Sequence, residues 1–445
     1  MRDFAVSDDS RVQAQLDRLG TLSIPQGRLG LDTVSALLDR LGNPQRGLPP
    51  VFHVAGTNGK GSTCAFLRAA LEAAGKSVHV FTSPHLVRFN ERIRIAGKLI
   101  EDELLAALLE EVLDAAEDTG IGASFFEVAT AVAFLAFTRT PADACVIEVG
   151  LGGRFDATNV LERPVACGIA SLGIDHEAFL LAPEENVPTD AFARIAFEKA
   201  GIAKPGVPLA TFDYRTAMNR AIQGQATKVG APLVRQGRDW TVEALSNGFT
   251  YTDAGGRLTL PAPRMPGGHQ MLNAGLAIAM VRHQRAVEVP AAAFAAGVER
   301  AHWPARLQEL GGGPLTSLLP AGTRCWLDGG HNPDAGEALA VHFGQARTRI
   351  HIVIGMLANK DPKAILAPLH DRLESVTVVP VPGHACHGAD PFRQIPLIPE
   401  PFEAPDVASA LRNLAIDPAG GEIVLIAGSL YLAGVVLREN REIPD

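Results

Sequence analysis

One lysine lies among glycines and hydroxyl side chains at the start of a predicted helix. Residues 51–54 favour a strand, residues 64–74 have helical apolar spacing, and Gly56, Gly59 and Lys60 lie between them. Glycines let successive backbone N–H groups converge on one point, and a helix N-terminus adds roughly half a positive charge there. A triphosphate carries more negative charge than this, so we expect Lys60 and a metal ion to supply the remainder. The segment therefore predicts a nucleoside triphosphate site with Mg²⁺.

The segment is an irregular form of the phosphate-loop pattern. The pattern G-x-x-x-x-G-K-[ST] needs glycine where this chain has Val54 and a hydroxyl where it has Gly61. The alternative is a glycine-rich turn that binds no phosphate. Because a strand, a Gly-Lys pair, hydroxyls and a helix start occur together here, we favour the phosphate site.

A second group of candidate residues lies at the ends of predicted strands. Residues 144–149 are apolar apart from Glu148, and a buried carboxylate is costly unless a cation, here a metal ion, compensates it. Open α/β sheets bind ligands at the carboxyl ends of parallel strands, so we expect Lys60, Ser83, Glu148 and His176 to converge. Two alternatives stay open: Glu148 could pair with Arg154, and His176 could be exposed in a loop.

The order of predicted elements indicates two α/β domains. Helices are expected at 32–41, with Asp32 as the N-cap, and at 101–116 and 124–137; strands are expected at 77–82, 144–149 and 165–171. Residues 83–92 look too polar for a buried element, and residues 240–260 have the turns of a small antiparallel sheet. Further strands, which alternate with helices, are expected at 325–328, 350–354, 376–381 and 422–427.

We therefore predict an α/β fold with an N-terminal P-loop-type mononucleotide-binding domain at 1–299, built on a largely parallel sheet. A linker at 300–305 leads to a smaller, C-terminal Rossmann-like α/β domain at 306–445.

Composition narrows the function classes. The 445 residues carry a net charge of −9 without a cluster of Lys and Arg, which argues against nucleic acid or an anionic membrane as the main partner. Five scattered cysteines without a Cys-x-x-Cys pair indicate reduced packing residues. The first residues have no signal-peptide core, and the apolar run at 128–137 is too short to span a bilayer. We expect a soluble, cytoplasmic protein.

Six short motifs in one order resemble those of the folylpolyglutamate synthase and dihydrofolate synthase family, within the Mur ligase superfamily. They are GTNGKGS at 56–62, TSPHL at 82–86, EVGLGGRFDATN at 148–159, EKAGI at 198–202, DGGHNP at 328–333 and GSLY at 428–431. The resemblance runs from about Arg28 to Val435. It implies a ligase that uses ATP to join L-glutamate to dihydropteroate or a folate through an acyl phosphate, and that releases ADP and phosphate.

The resemblance also implies which residues bind the nucleotide and the metal. Those expected to contact the nucleotide are Thr57, Asn58, Gly59, Lys60, Gly61, Ser62, Asn273, Arg306 and Asp328. Those expected to hold one or two Mg²⁺ ions are Ser83, Glu148, His176 and Lys199. K⁺ is a further candidate ion.

Lys199 resembles the lysine that is carbamylated in this family. The reaction needs a neutral amine, and a lysine with the usual pKa of ~10.4 is only about 0.1% neutral near pH 7.4. Burial or a nearby metal must therefore lower the pKa of Lys199. On its own, a helical lysine is more often part of a solvated face, and this alternative stays open.

Substrate contacts follow from the same resemblance. The residues expected to bind glutamate are Arg92, His331 and Ser429. The residues expected to form the pterin pocket are Arg28, Leu29, Phe126, Phe155, Asp156 and Ala157. The catalytic residues are expected to be Lys60, Glu148, His176, Lys199 and His331, although His331 before Asn332-Pro333 could instead shape a turn.

This chain departs from the family pattern at two places. The interval from His176 to Lys199 is longer than usual, and residues 180–188 look like an insertion; Ala305 stands where the family often has glycine.

Two other function classes are weighed against the folate ligase. A Mur-type ligase for cell-wall precursors would need a further domain before the phosphate loop, and only some fifty residues precede it. A nucleotide-dependent switch would not need a second α/β unit. We expect a monomer.

Overall fold

The computed structural model describes residues 6–22, 30–118, 120–344 and 348–445. The chain divides into two compact units, Met1–Arg264 with Gln270–His302, and Met265–His269 with Trp303–Asp445. The predicted limits of the functional domains and of the linker stay predictions. Among the helices of the described residues, none is both long and apolar enough to cross a membrane.

The first unit is built on a mostly parallel sheet. Its strands are β1 (Val51–Ala55), β2 (Val78–Phe81), β3 (Ile93–Ile95), β4 (Lys98–Leu99), β5 (Ala144–Glu148), β6 (Ala166–Ile169), β7 (Leu209–Thr211) and β8 (Leu233–Arg235). Within the described residues their order is β4-β3-β2-β5-β1-β6-β7-β8, and the pairings of β2 with β3 and of β3 with β4 are antiparallel, whereas the others are parallel. Strands β1, β2, β5 and β6 are buried along their whole length, as near-continuous apolar runs in a parallel sheet require.

Helices flank this sheet. They are α1 (Ser10–Thr21), α2 (Asp32–Arg40), α3 (Lys60–Ala73), α4 (Asp102–Asp118), α5 (Phe125–Arg139), α6 (Glu177–Leu180), α7 (Ala191–Ala200), α8 (Thr216–Val229), α9 (His269–Arg282) and α10 (Ala291–Arg300). One hydrophobic cluster joins α1, α2, α4 and α5 to the sheet, and a second joins α7 and α8 to it. Helix α5 begins with a reciprocal pair of hydrogen bonds between Ser124 and Glu127, which fixes where the helix starts.

The predicted antiparallel sheet is confirmed. Its strands are β9 (Trp240–Leu245), β10 (Gly248–Asp253) and β11 (Gly256–Pro261). They pair as β11-β10-β9, and two-residue turns at 246–247 and 254–255 connect them.

Two local predictions are wrong. Asp32 is the first residue of α2 and not its N-cap; Leu31 occupies that position, without a capping side chain. The segment 83–92 is not too polar to be buried, because Val87, Phe89 and Arg92 are each at most 5% exposed. The Glu91 carboxylate accepts the N–H groups of residues 86–88, so the polar backbone of this segment is satisfied inside the fold.

The second unit has its own sheet with helices. The strands are β12 (Gln308–Glu309), β13 (Arg324–Asp328), β14 (Ile350–Ile354), β15 (Leu373–Val378), β16 (Phe402–Glu403) and β17 (Ile423–Ala427). The helices are α11 (Pro333–Gly344), α12 (Lys363–Leu366), α13 (Asp390–Arg393), α14 (Val407–Arg412) and α15 (Leu430–Glu439). In the described residues the strand order is β12-β13-β17-β14-β15-β16, and only β12 is antiparallel. The predicted α/β fold class is confirmed.

Candidate active site

The glycine-rich loop connects the end of β1 to the first turn of α3. Gly56 and Gly59 have φ angles of 154° and 80°, which favour glycine, and α3 begins at Lys60. A Cβ on Gly59 would lie 2.6 Å from Oδ1 of Asn273, so this glycine lets α9 pack against the loop. The predicted nucleotide residue Asn273 is therefore beside the loop, where its amide donates to Gln270 Oε1 at 3.0 Å.

Two of the loop amides already have acceptors. The N–H groups of Thr57 and Asn58 donate to the carbonyl of Ser171, at 2.7 and 3.2 Å, and the Thr57 hydroxyl donates to Gly173. The first-turn amides of α3, at residues 60–62, have no acceptor inside the helix because of helix geometry. Those amides are the better candidates for binding phosphate, while Thr57 and Asn58 hold the loop in shape.

Three of the predicted site residues converge next to this loop. Glu148 is the last residue of β5 and is 3% exposed, and its Oε2 accepts the backbone N–H of Ser83 at 3.2 Å. The Lys60 ammonium lies 4.0 Å from Glu148 Oε1 and 3.4 Å from the Thr57 carbonyl. A buried carboxylate at this strand end therefore faces a cation, as the cost of burying it requires.

The alternative partner of Glu148 is wrong. Arg154 instead binds Glu198 and Glu184, with Nη2 at 2.8 Å from Glu198 Oε1 and Nη1 at 3.0 Å from Glu184 Oε1. Arg194 binds the same two carboxylates, at 2.9 and 2.8 Å. Glu184 belongs to the predicted insertion, so these ion pairs attach the insertion to α7.

Lys199 is buried and not on a solvated helix face, so that alternative is wrong as well. Its side chain lies in the interior of the first unit, and Nζ donates to the Gly56 carbonyl at 2.9 Å. Burial, and next the charge of Lys60, lower the pKa of Lys199 to about 7; Asp175 and other acids oppose the shift. The amine is thus held against the glycine-rich loop in an environment that favours its neutral form.

His176 is less closely tied to this group. It has a φ of 54°, precedes α6, and its Nε2 lies 4.0 Å from Asp175 Oδ2 with 37% of the side chain exposed. Its place beside Glu148 stays a prediction. In the described part of the chain, no three His, Cys, Asp or Glu side chains form a metal-binding group. The four predicted metal ligands include only one Glu and one His, Glu148 and His176. The other two are Ser83 and Lys199, so the predicted site would not form a group of three such side chains.

Two of the predicted pterin residues, Phe126 and Asp156, contact the loop after β5. The Phe126 ring covers Gly150 so closely that any Cβ there would overlap it, and it also contacts Phe81 at 5.9 Å between ring centroids. Asp156 is buried; Oδ2 accepts Leu151 N–H at 2.8 Å and Oδ1 accepts Thr158 N–H at 3.0 Å. Burial raises the pKa of Asp156. These contacts use the carboxylate to shape the loop.

Four predicted pterin residues remain, and the structure describes two of them. Ala157 is buried at the start of a short 3₁₀ helix, and the Phe155 ring lies 4.2 Å from the Arg154 guanidinium carbon. Arg28 and Leu29 lie outside the described residues.

The predicted glutamate residue Arg92 is buried. It is 1% exposed, its Nε donates to His85 Nδ1 at 2.8 Å, and its guanidinium lies over the rings of Phe89 and Phe125. A substrate carboxylate would reach this guanidinium only after these neighbours move. Its role as a glutamate ligand stays a prediction.

The other predicted residues belong to the second unit, where Arg306 precedes β12 and Asp328, His331 and Ser429 lie at the carboxyl ends of β13 and β17. Asp328 Oδ2 accepts Leu307 N–H at 2.8 Å and Oδ1 accepts Gly330 N–H at 2.7 Å, so this acid joins the residue after Arg306 to the loop that follows β13. His331 Nδ1 lies 3.1 Å from the Gly329 carbonyl. Ser429 caps α15 by accepting the N–H of residue 431.

Sequence reasoning missed several residues that position this site. The Glu184, Arg194 and Glu198 ion pairs were not predicted, and neither was the position of Asp175 near Lys199. Glu198 and Asp175 are the chain neighbours of the predicted residues Lys199 and His176, and this adjacency could have indicated them. Nothing in the sequence indicated the role of Glu184, because its partners Arg154 and Arg194 are not its neighbours in the chain.

Known proteins match nearly the whole chain, although no protein-family model matches it. The dihydrofolate synthase/folylpolyglutamate synthase of Bacillus subtilis is 33% identical over 427 residues, which cover 90% of this chain and 93% of that protein. The structure of E. coli FolC in complex with DHPP and ADP is 32% identical, with a TM-score of 0.82 over 96% of this chain and 97% of that chain. A bifunctional enzyme of the same name, with Mn, AMPPNP and L-glutamate bound, has a TM-score of 0.81 at 29% identity, over 98% of this chain and 99% of that chain. These matches confirm the family that the six motifs predicted: the chain belongs to the dihydrofolate synthase/folylpolyglutamate synthase family.

Proposed function

We propose that this protein is an ATP-dependent ligase that adds L-glutamate to 7,8-dihydropteroate and to tetrahydrofolate polyglutamates. The observation that carries the proposal is the meeting of Lys60, Ser83 and the buried Glu148 at the start of α3. This arrangement puts an ammonium, helix-end amides and a carboxylate beside one another, which supports ATP chemistry with a divalent metal ion.

The reaction requires that a carboxylate become electrophilic. A carboxylate resists attack by an amine because it is anionic and lacks a good leaving group. Transfer of the γ-phosphoryl group to the carboxylate oxygen gives an acyl phosphate and ADP; attack by the glutamate amine then forms the amide and releases phosphate. Lys60 and the first-turn amides of α3 stabilise the charge on the transferring phosphoryl group.

The residues present fit a divalent cation. The Glu148 carboxylate and the Ser83 hydroxyl are oxygen ligands of the kind that Mg²⁺ prefers, and Glu148 is a buried acid at a strand end. Bound there, Mg²⁺ would neutralise charge on the β- and γ-phosphates. His176 and Lys199 would complete the set. Related structures hold Mn with AMPPNP, which supports a divalent metal and an adenine nucleotide for this chain. K⁺ stays a candidate.

Lys199 is proposed to be carbamylated, because its surroundings favour the neutral amine that attacks CO₂. With a pKa of about 7, roughly 70% of Lys199 would be neutral at pH 7.4. A carbon resonance of protein equilibrated with ¹³C-bicarbonate, absent from Lys199→Met, is the expected signature. A spectrum without that resonance would contradict the assignment.

The substrate sites are proposed from the predicted residues. Phe126, beside the Gly150 loop, offers a ring face for the pterin, and Asp156 with Ala157 shapes the same loop. Asn273, Arg306 and Asp328 stay proposed nucleotide contacts, and Arg92, His331 and Ser429 stay proposed glutamate contacts. We also propose that the protein is monomeric and cytoplasmic, which sedimentation and fractionation would test.

ATP consumption with defined acceptors tests the proposed function. We expect ADP release only when L-glutamate and either 7,8-dihydropteroate or a tetrahydrofolate are present together. Comparing the two acceptors shows whether one or both synthase activities occur. ADP release that depends on a UDP-sugar acid would instead support a Mur-type ligase, and release without any acceptor would support a nucleotide switch.

A further inference from the structure

The loops at the carboxyl ends of the second unit's parallel strands form one continuous rim. A Cβ on Gly329 would overlap the Leu430 side chain, so the loop after β13 packs against the start of α15. A Cβ on Gly428 would lie 2.8 Å from the Gly355 carbonyl, and one on Gly355 would lie 2.9 Å from the Val379 carbonyl. The loops after β13, β17, β14 and β15 therefore touch one another in that order. We call residues 328–331, 355–356, 379–384 and 428–431 the carboxyl rim.

Two aromatic side chains of the carboxyl rim stack on each other. The rings of His384 and Tyr431 have centroids 3.9 Å apart and planes inclined by 27°. Both residues are half-buried. His384 follows β15 and Tyr431 is in the first turn of α15, which makes the stack a bridge between two loops that the intervening strand β14 separates.

The stack adjoins two proposed glutamate contacts. The Tyr431 N–H donates to Ser429 Oγ at 3.1 Å, and Leu430, between these residues, packs against Gly329. The Gly329 carbonyl in turn lies 3.1 Å from His331 Nδ1. His331, Ser429, Tyr431 and His384 thus lie along the same rim, and Gly329 and Leu430 connect His331 to Ser429. In open α/β sheets this edge is where ligands bind.

We propose that His384 and Tyr431 are specificity residues of the amino-acid subsite, where they donate hydrogen bonds to a carboxylate of the incoming glutamate. The inference rests on the proposed function and extends it to His384, which lies outside the six motifs that indicated the family, and to Tyr431, a motif residue to which no role has been given. An imidazole N–H and a phenol O–H are donors, and the stacked ring faces can contact the methylene groups between the two carboxylates of glutamate. Stacking holds the two donors in one orientation before the substrate arrives. The side chains therefore lose less conformational entropy when glutamate binds.

Steady-state kinetics of single variants test this subsite. For His384→Ala and Tyr431→Phe we expect the KM for L-glutamate to rise about 10-fold or more, because a hydrogen bond to a charged group is lost. The kcat should stay within about 3-fold, because the lost hydrogen bond stabilises bound glutamate equally in the ground state and in the transition state. The KM values for ATP and the pterin substrate should not change, because these substrates do not contact the two side chains. His384→Gln, which keeps an N–H donor, should recover part of the affinity.

Substrate analogues identify which carboxylate is bound. L-glutamine lacks the side-chain carboxylate and L-isoglutamine lacks the α-carboxylate. The preference of wild type for glutamate over one of these analogues should fall in His384→Ala. His370→Ala is the matched control, because His370 is exposed ahead of β15, away from the carboxyl rim, and should leave every constant unchanged.

The outcomes separate this inference from the proposed function. An active wild-type enzyme whose KM for glutamate stays within about 2-fold in both variants would overturn the subsite alone. A parallel rise of all three KM values with a lower melting temperature would show a structural role and would also overturn it. A wild-type protein that consumes no ATP with glutamate and either pterin acceptor would overturn the proposed function itself.

Discussion

The ammonium group of Lys199 donates a hydrogen bond to the carbonyl oxygen of Gly56 at 2.9 Å. This bond ties the last turn of α7 to the glycine-rich loop that precedes α3. Lys60, on the other side of that loop, lowers the pKa of Lys199 through its charge. The two lysines therefore differ in their surroundings: Lys60 lies beside the buried Glu148, and burial favours the neutral form of Lys199.

Replacing Lys60 should remove activity and keep the fold. For Lys60→Ala we expect kcat to fall by about 10²- to 10³-fold, because charge on the transferring phosphoryl group loses its ammonium partner. ADP release and circular dichroism measure the two effects. Lys228→Ala, which alters an exposed lysine of α8, is the control. Near-normal turnover of Lys60→Ala would refute the placement of this lysine.

The buried amine of Lys199 should make stability depend on pH. The folded pKa is about 7 and the unfolded value is 10.5, so between these pH values the unfolded chain binds more protons than the native chain. Burial of the charged amine lowers the unfolding free energy by its full amount below pH 7, and this destabilisation has disappeared by pH 10.5. Relative to Lys199→Met, the wild type should thus gain up to about 1.4 kcal/mol of unfolding free energy per pH unit across this window. Urea unfolding in CO₂-free buffer measures it, and parallel curves for the two proteins would contradict the burial of a titrating amine.

Gly153 should not tolerate a side chain. A Cβ there would lie 2.8 and 2.9 Å from the carbonyl oxygens of Glu198 and Lys199, which are backbone atoms that cannot rotate away. We expect Gly153→Ala to lower the unfolding free energy by about 1–3 kcal/mol and to reduce activity, because the end of α7 must shift. Gly224→Ala, in the interior of α8 with nothing within 4 Å, should instead add about 0.5–1 kcal/mol. Equal effects of the two substitutions in thermal unfolding would contradict the close packing at Gly153.

Glu184 should contribute to stability although it belongs to the insertion. Its side chain is 15% exposed and accepts hydrogen bonds from Arg154 and Arg194. Glu184→Gln should cost about 1–3 kcal/mol, because two largely buried guanidinium groups lose a charged partner. Glu185→Gln changes the exposed neighbour and should stay within about 0.5 kcal/mol of wild type. If the two variants unfold at the same urea concentration, the ion pairs do not stabilise the insertion.

The sequence predicted those parts of the fold and site that depend on local pattern. The strand at β5 and the strand-end position of Glu148 follow from a buried apolar run with one acid, and the loop between β1 and α3 follows from glycines before a helix. The burial of Arg92 was missed because His85 and Phe125, which accommodate it, are not adjacent in the chain. The start of α2 was misplaced by one residue, since Asp32 is favourable both as a cap and in a first turn.

Isotope transfer from the substrate acid tests the central claim most directly. With 7,8-dihydropteroate labelled by ¹⁸O in its carboxylate, the acyl-phosphate route moves one labelled oxygen into inorganic phosphate for each amide bond formed. We predict phosphate with a single ¹⁸O for each amide bond in wild type, and a rate of label transfer that falls together with kcat in Lys60→Ala. Unlabelled phosphate accompanying amide formation by the wild type would contradict the account.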